Sequence, residues 1–126
     1  MMTELEHLFL TKFGKTFSVK KGISLLSQGD SQHKLYYLHE GIIRAVHHSP
    51  DGLERVKEFY FPGEYSFLYL PWLTGIPADY TLQMTTDGRV TEMPVNILSS
   101  SPLHEFSYAL LKQQLIYKEK KYRCFF

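Results

Sequence analysis

The chain has 126 residues, with 14 Lys and Arg against 13 Asp and Glu for a formal charge of +1, which bounds it to one domain and denies it the basic footprint of a nucleic-acid-binding surface. Cys124 stands alone, excluding an internal disulfide and any Cys-built zinc or iron–sulfur site within one chain. No apolar run approaches the roughly 20 residues of a membrane span, and Met1 to His7 lacks the charged and apolar regions of a signal peptide, so a cytoplasmic, soluble protein without membrane partners is expected.

In chain order, residues 3–12 suit a short amphipathic helix with Thr3 as N-cap, Glu4 and Glu6 in its first turn, and Leu5, Leu8 and Phe9 along one stripe. Gly14 ends it. Residues 16–20 alternate with period two, Lys21-Gly22 turns the chain, and 23–26 form a second short strand. Turn chemistry fills 27–32, a strand rich in Leu and Tyr covers 34–39, and Glu40-Gly41 reverses into another strand at 42–48. Asp51-Gly52 is the strongest hairpin signal, reading as a type I′ turn with a return strand over 53–61.

The apolar run then stops at Pro62-Gly63, and Glu64 follows at once. Pro62 fixes φ and Gly63 frees it, so this turn can expose N–H groups and set Glu64 beside a cavity. Residues 65–79 wander through Pro71, Gly75 and Pro77 as an irregular pocket segment. Strands return at 80–85 and 89–93 around the turn Asp87-Gly88. About eight short strands with tight turns, and no segment long enough for a crossover helix, give the expected fold: mainly β, a double-stranded, jelly-roll-like β-roll with short flanking helices.

Residues 94–99 allow a helical turn or two. Ser101 as N-cap, Pro102 at the first helical position and Glu105 near the positive end of the dipole then open a helix of about 20 residues from Leu103. Along it Leu103, Phe106, Leu110, Gln113, Tyr117 and Lys120 recur at steps of three and four, a strip suited to pairing with a twin helix. A dimer seam through Phe106, Leu110, Gln113 and Tyr117 is expected. The ending Cys124-Phe125-Phe126 reads as cut rather than finished.

The short first helix, the β-roll, Leu-Tyr-Tyr-Leu-His-Glu-Gly-Ile-Ile-Arg at 35–44, Asp51-Gly52, Pro62-Gly63-Glu64 and a long last helix together resemble the cyclic-nucleotide-binding sensor domain of Crp/Fnr, catabolite-activator-like transcription regulators. The resemblance spans nearly all of residues 4–123. It implies a roll with flanking helices over 1–102 and a dimerisation helix over 103–126 that leads toward a DNA-binding domain absent here. DNA would then be reached only through that other domain.

In that family a Gly-Glu pair opens a short helical cassette, the Glu accepting the ribose 2′-hydroxyl and backbone N–H groups meeting the cyclic phosphate. The resemblance places Gly63 and Glu64 there, with Tyr65 and Ser66 following. The cassette should close on an Arg-Ser or Arg-Thr pair, and here Asp79-Tyr80 stands in that place. No Arg occurs from Val56 to Gly88. At about 4 Å like charges repel by roughly 1 to 4 kcal/mol at effective dielectrics of 80 to 20, so no tight binding of cyclic AMP or cyclic GMP is expected, no cofactor is implied, and the effector is left open. If Asp79 and Glu64 line one pocket, a hydroxyl-rich or cationic ligand could be held there.

Two other readings compete. A cupin-like metal enzyme would use His47, but His47 and His48 are neighbours on a strand and point to opposite faces, so both cannot ligate one metal in regular geometry. The paired carboxylates Glu54 and Glu58, four apart on a strand, would share a face of a solvated hairpin. With no Gly-X-Ser-X-Gly elbow and no base marked beside Cys124, no enzyme is expected. A ligand-free dimerisation scaffold is the third reading.

Overall fold

A computed structural model describes residues 4–99 together with Tyr108, Leu111, Lys112 and Ile116. Helix α1 (Glu4–Phe13) leads into eight strands: β1 (Lys15–Val19), β2 (Ser24–Leu26), β3 (Lys34–Glu40), β4 (Ile43–His48), β5 (Glu54–Tyr60), β6 (Tyr65–Ser66), β7 (Thr81–Met84) and β8 (Gly88–Pro94). Helix α2 (Tyr69–Thr74) lies between β6 and β7, and a short 3-10 helix over Val95–Ser99 follows β8. The strands form two antiparallel four-stranded sheets, ordered β1-β8-β3-β6 and β2-β7-β4-β5. That is a β-roll.

Strand β3 shows how the layers are built. Successive side chains alternate faces, and both faces are covered here, so Leu35, Tyr36, Tyr37 and Leu38 are all buried. Leu35 and Tyr37 join Leu10 of α1, Met93 of β8, and Ile97 and Leu98 of the 3-10 helix. Tyr36 and Leu38 join Ile43, Ala45, Tyr60, Leu82, Met84 and Val90, the core shared by the two sheets. Burial of these side chains supplies the main driving force, roughly 1.5–3 kcal/mol for each large apolar group.

The hairpin between β4 and β5 differs from the expected type I′ turn. Gly52 N–H donates to the Ser49 carbonyl at 3.0 Å and Ser49 N–H to Leu53 at 2.9 Å, making Pro50 and Asp51 the central residues. Proline is locked near φ −65° and cannot take the positive φ that type I′ needs. Gly52 carries it, at φ 85°, as in a three-residue loop closed by a glycine bulge.

The segment expected to be irregular holds both β6 and α2. Pro71 sits in the first turn of α2, where backbone N–H groups have no intrahelical acceptor and proline removes nothing. Gly75 caps the other end at φ 75°, its N–H donating to Pro71 O at 2.9 Å. Gln32 fixes the start, its side chain accepting from Leu68 N–H at 2.8 Å and donating to Leu68 O at 2.9 Å.

A third difference lies in β5. Its register slips opposite Ala45 and Val46, which face Glu58 and Val56, so Lys57 is an extra residue in the ladder. The bulge breaks the alternation on which the shared face of Glu54 and Glu58 rested. Glu54 stays outside, within 3.4 Å of Arg44 and 3.6 Å of His48, while Glu58 turns inward and is buried. The Thr3 cap and the dimer seam of Phe106, Leu110, Gln113 and Tyr117 lie outside the described residues. Among those residues no helix is long and apolar enough to cross a membrane.

The turns between β3 and β4 and between β7 and β8 nearly touch. A Cβ added at Gly88 would lie 2.2 Å from the Glu40 carbonyl oxygen, whereas one at Gly75 would meet nothing within 4 Å. Gly88→Ala is therefore expected to lower stability by about 1–3 kcal/mol through overpacking, and Gly75→Ala by about 1 kcal/mol through backbone strain alone. Urea midpoints of both variants check the order; a Gly88→Ala midpoint equal to wild type would contradict the close approach.

Candidate functional site

The turn before β6 is occupied with its own hydrogen bonds. Gly63 N–H donates to Leu38 O at 2.8 Å and Glu64 N–H to Phe61 O at 3.0 Å. The Glu64 carboxylate accepts from Phe61 N–H at 2.6 Å and is only 1% exposed. The amides and the carboxylate expected to meet a ligand thus have partners inside the protein.

Their position matters equally. Glu64 precedes β6, while α2 begins at Tyr69, and the residues that open it are Phe67 and Leu68. Neither offers a carboxylate. Behind the turn, Glu58, Glu64, Tyr60 and Tyr69 come together: Tyr60 donates to Glu58, and burial with the two carboxylates nearby pushes the Tyr60 phenol well above its usual range. Tyr69 is raised by burial and then by the same carboxylates.

Tyr65 and Ser66 also face inward. The Tyr65 hydroxyl donates to Glu6 Oε2 at 2.7 Å, tying β6 to α1, and burial followed by this bond raises its pKa strongly. Its ring meets Tyr37 edge-on at 5.0 Å. The Ser66 hydroxyl is fully buried and finds no hydrogen-bond partner among the described residues.

Asp79 and Tyr80 are placed differently. They line a concavity of about 500 Å³ with His47, Arg55, Val56 and Lys57, and Glu64 is not among its walls. His47 pairs with Arg55 across β4 and β5. The β4–β7 register carries it opposite Tyr80, one step beyond the pair Val46 and Thr81. Tyr80 packs on the inter-sheet core, so this is the core-facing side of the second sheet at its end.

His47 Nδ1 lies 3.1 Å from the Asp79 carbonyl oxygen, its ring meets Tyr80 edge-on at 5.9 Å, and Lys57 Nζ lies 4.7 Å from the Tyr80 ring centre. Two cations share the hollow with Asp79, so its carboxylate does not by itself invert the local charge. Arg55 lies one residue before the Arg-free window noted in the sequence. The signal that could have found it is Arg55-Val56-Lys57 on a strand, two cations two residues apart. What could not be read was that β5 folds them against the residues just before β7.

His47 and His48 turn to different partners, the Asp79 carbonyl and Glu54. Among the described residues no three His, Cys, Asp or Glu side chains stand together as a possible metal site.

Comparison with known proteins adds the family. No curated protein sequence matches the chain. Among solved structures, a putative cAMP-binding regulatory protein from Silicibacter pomeroyi DSS-3 is similar at TM-score 0.68 and 18% identity, over 92% of this chain and 53% of that one. The c-di-GMP responsive global regulator CLP of Xanthomonas campestris reaches TM-score 0.71 at 18% identity, over 93% of this chain and 61% of that one. The regulatory subunit of a cAMP-independent protein kinase A from Trypanosoma brucei reaches 0.69 at 17% identity, over 97% and 45%. The chain therefore spans between 45% and 61% of these proteins' lengths, and at such identities the likeness is one of fold. The sequence model of the cyclic nucleotide-binding domain matches residues 16–100, which run from β1 past β8 and so take in both sheets, α2 and the hollow beside Tyr80; the chain belongs to the cyclic nucleotide-binding domain family.

Proposed function

We propose that this chain is the effector-sensing, dimerising domain of a Crp/Fnr-like transcription regulator, working in the cytoplasm, with a degenerate phosphate cassette that does not hold cyclic AMP or cyclic GMP tightly. The observation that carries the reading is the closed turn at 61–64. Its Gly63 and Glu64 amides and the Glu64 carboxylate bond within the protein, and α2 opens on Phe67 and Leu68 instead of a Gly-Glu pair. Asp79 stands where a guanidinium is expected. Two proteins of this fold, one described as c-di-GMP responsive and one as cAMP-independent, support a roll put to use without cyclic AMP.

The mechanism is a shift between two states. An effector beside Asp79 and Tyr80 binds one arrangement of the roll and the C-terminal helix better than the other, and the helix pair presents DNA-binding domains at the matching spacing. The chemistry is binding, with no enzymatic step. In this reading Gln113 and Tyr117 of the expected seam, with Gln114 beside them in sequence, are the helix residues that approach the effector or the partner helix.

Three outcomes are expected. Calorimetric titration with cyclic AMP and cyclic GMP should give no Kd tighter than about 1 μM, near −8 kcal/mol; nanomolar binding would sink the reading. Glu64→Gln, which exchanges a buried charged acceptor for a neutral one and buries an NH2 in its place, should lower stability by about 1–3 kcal/mol, the cost of a buried polar group whose partners no longer match, as measured by urea denaturation; loss of ligand affinity at unchanged stability would return Glu64 to the site. Analytical ultracentrifugation should report a dimer weakened by Phe106→Ala with Leu110→Ala. A monomeric parent chain would rule out the seam.

A further inference from the structure

The hollow beside Tyr80 has a charge arrangement of its own. Arg55 and Lys57 project from the exposed outer strand β5, and Asp79 from the residues that lead into β7. Among the described residues the Arg55 and Asp79 side chains make no hydrogen bond or ion pair, and the Lys57 ammonium meets only the Tyr80 ring. Elsewhere on this sheet the charges do pair, as Glu54 does with Arg44 and His48. The hollow thus holds two cations and one carboxylate that leave each other free, around about 500 Å³ of space, a volume typical of small-molecule sites. Lys57 is also the extra residue of the β5 bulge, a device that re-aims a side chain beside functional sites.

We propose that this hollow binds a phosphate monoester with a hydroxylated body, its dianionic head held by Arg55 and Lys57, its hydroxyls donating to Asp79, and its body resting against Tyr80 and His47. The identification deepens the effector reading and rests on it. A guanidinium engages two phosphate oxygens at once and an ammonium a third. A monoester offers three terminal oxygens and a charge of about −1.5 to −2 at neutral pH. A cyclic diester offers two terminal oxygens and a single charge, so the pair of cations selects the open ester. Asp79 adds a preference for hydroxyl donors over inorganic phosphate.

The test is a 15N-edited NMR titration of the full 126-residue chain with 5′-AMP, cyclic AMP and inorganic phosphate at neutral pH. Shifts on the Arg55, Val56, Lys57 and Tyr80 amides are expected with 5′-AMP, with cyclic AMP and inorganic phosphate each binding about tenfold more weakly. Arg55→Ala and Lys57→Ala, both at exposed positions, should each weaken 5′-AMP by about tenfold, Arg55→Ala without moving the urea midpoint and Lys57→Ala with only the small drop that loss of its contact with the Tyr80 ring brings. No shift at these amides, or 5′-AMP affinity unchanged in both variants, overturns this site while leaving the failure to bind cyclic AMP intact. Cyclic AMP binding tighter than 5′-AMP overturns it, and takes the degenerate-cassette reading with it when the cyclic AMP Kd falls below about 1 μM.

Discussion

One extra residue in β5 decides what both ends of the second sheet carry. Without the slip at Lys57, the alternation that keeps Glu54 in water would keep Glu58 there too. With it, Glu58 and Tyr60 turn into the core while Arg55 stays opposite His47 at the sheet's end. A bulge of this kind also sharpens the local twist of the strand. The same backbone irregularity therefore builds the polar interior behind α2 and supplies the charged hollow.

That interior fixes the turn before β6. Burying a carboxylate is costly unless hydrogen bonds replace its water. Glu64 receives the Phe61 N–H at 2.6 Å and Glu58 the Tyr60 hydroxyl, and both donors come from the strand and turn that these acids hold in place. Side-chain networks of this sort reward full satisfaction and punish partial loss. Glu58, Tyr60 and Glu64 are thereby engaged inside the fold, and in the proposed reading binding falls to the side chains that face the hollow at the sheet's end.

Much of the fold was legible from Gly, Pro and Asp punctuation and from period-two runs, because these reflect local backbone sterics. Pro71 misled for a good reason: proline reads as a breaker, yet in the first turn of α2 it displaces no hydrogen bond. Pro50 was overlooked beside Asp51-Gly52, although its fixed φ excludes a type I′ turn. At the site, Asp79 and Tyr80 could be singled out by resemblance, and they do line an open hollow. Glu64 could not be placed, since whether a carboxylate after Pro-Gly faces a ligand or its own turn depends on how that turn closes, here with Phe61 N–H on the carboxylate and Gly63 N–H on Leu38 of β3. The union of β5 cations with the β7 entrance is likewise tertiary, joining residues more than 20 positions apart.

The electrostatics of the hollow follow from its exposure. Arg55 and Lys57 stand at a sheet edge open to water, where a single ion pair is worth about 0–1 kcal/mol and salt screens it. Charge alone cannot give a tight site there. Geometry has to supply the rest: a planar fork from Arg55, the Asp79 carboxylate on the same hollow and an aromatic wall at Tyr80 that meets the His47 ring. Tyr80 links these parts because it is anchored in the inter-sheet core and carries Lys57 over its ring. A ligand that draws Lys57 off that ring exchanges a cation–π contact of about 0.5–1 kcal/mol for a charge-assisted hydrogen bond of about 1.5–3 kcal/mol. By these values the exchange is favourable for any anion that Lys57 reaches, and an anion that reaches Arg55 as well gains a second charge-assisted contact, which makes the pair of cations lining the hollow the source of selectivity.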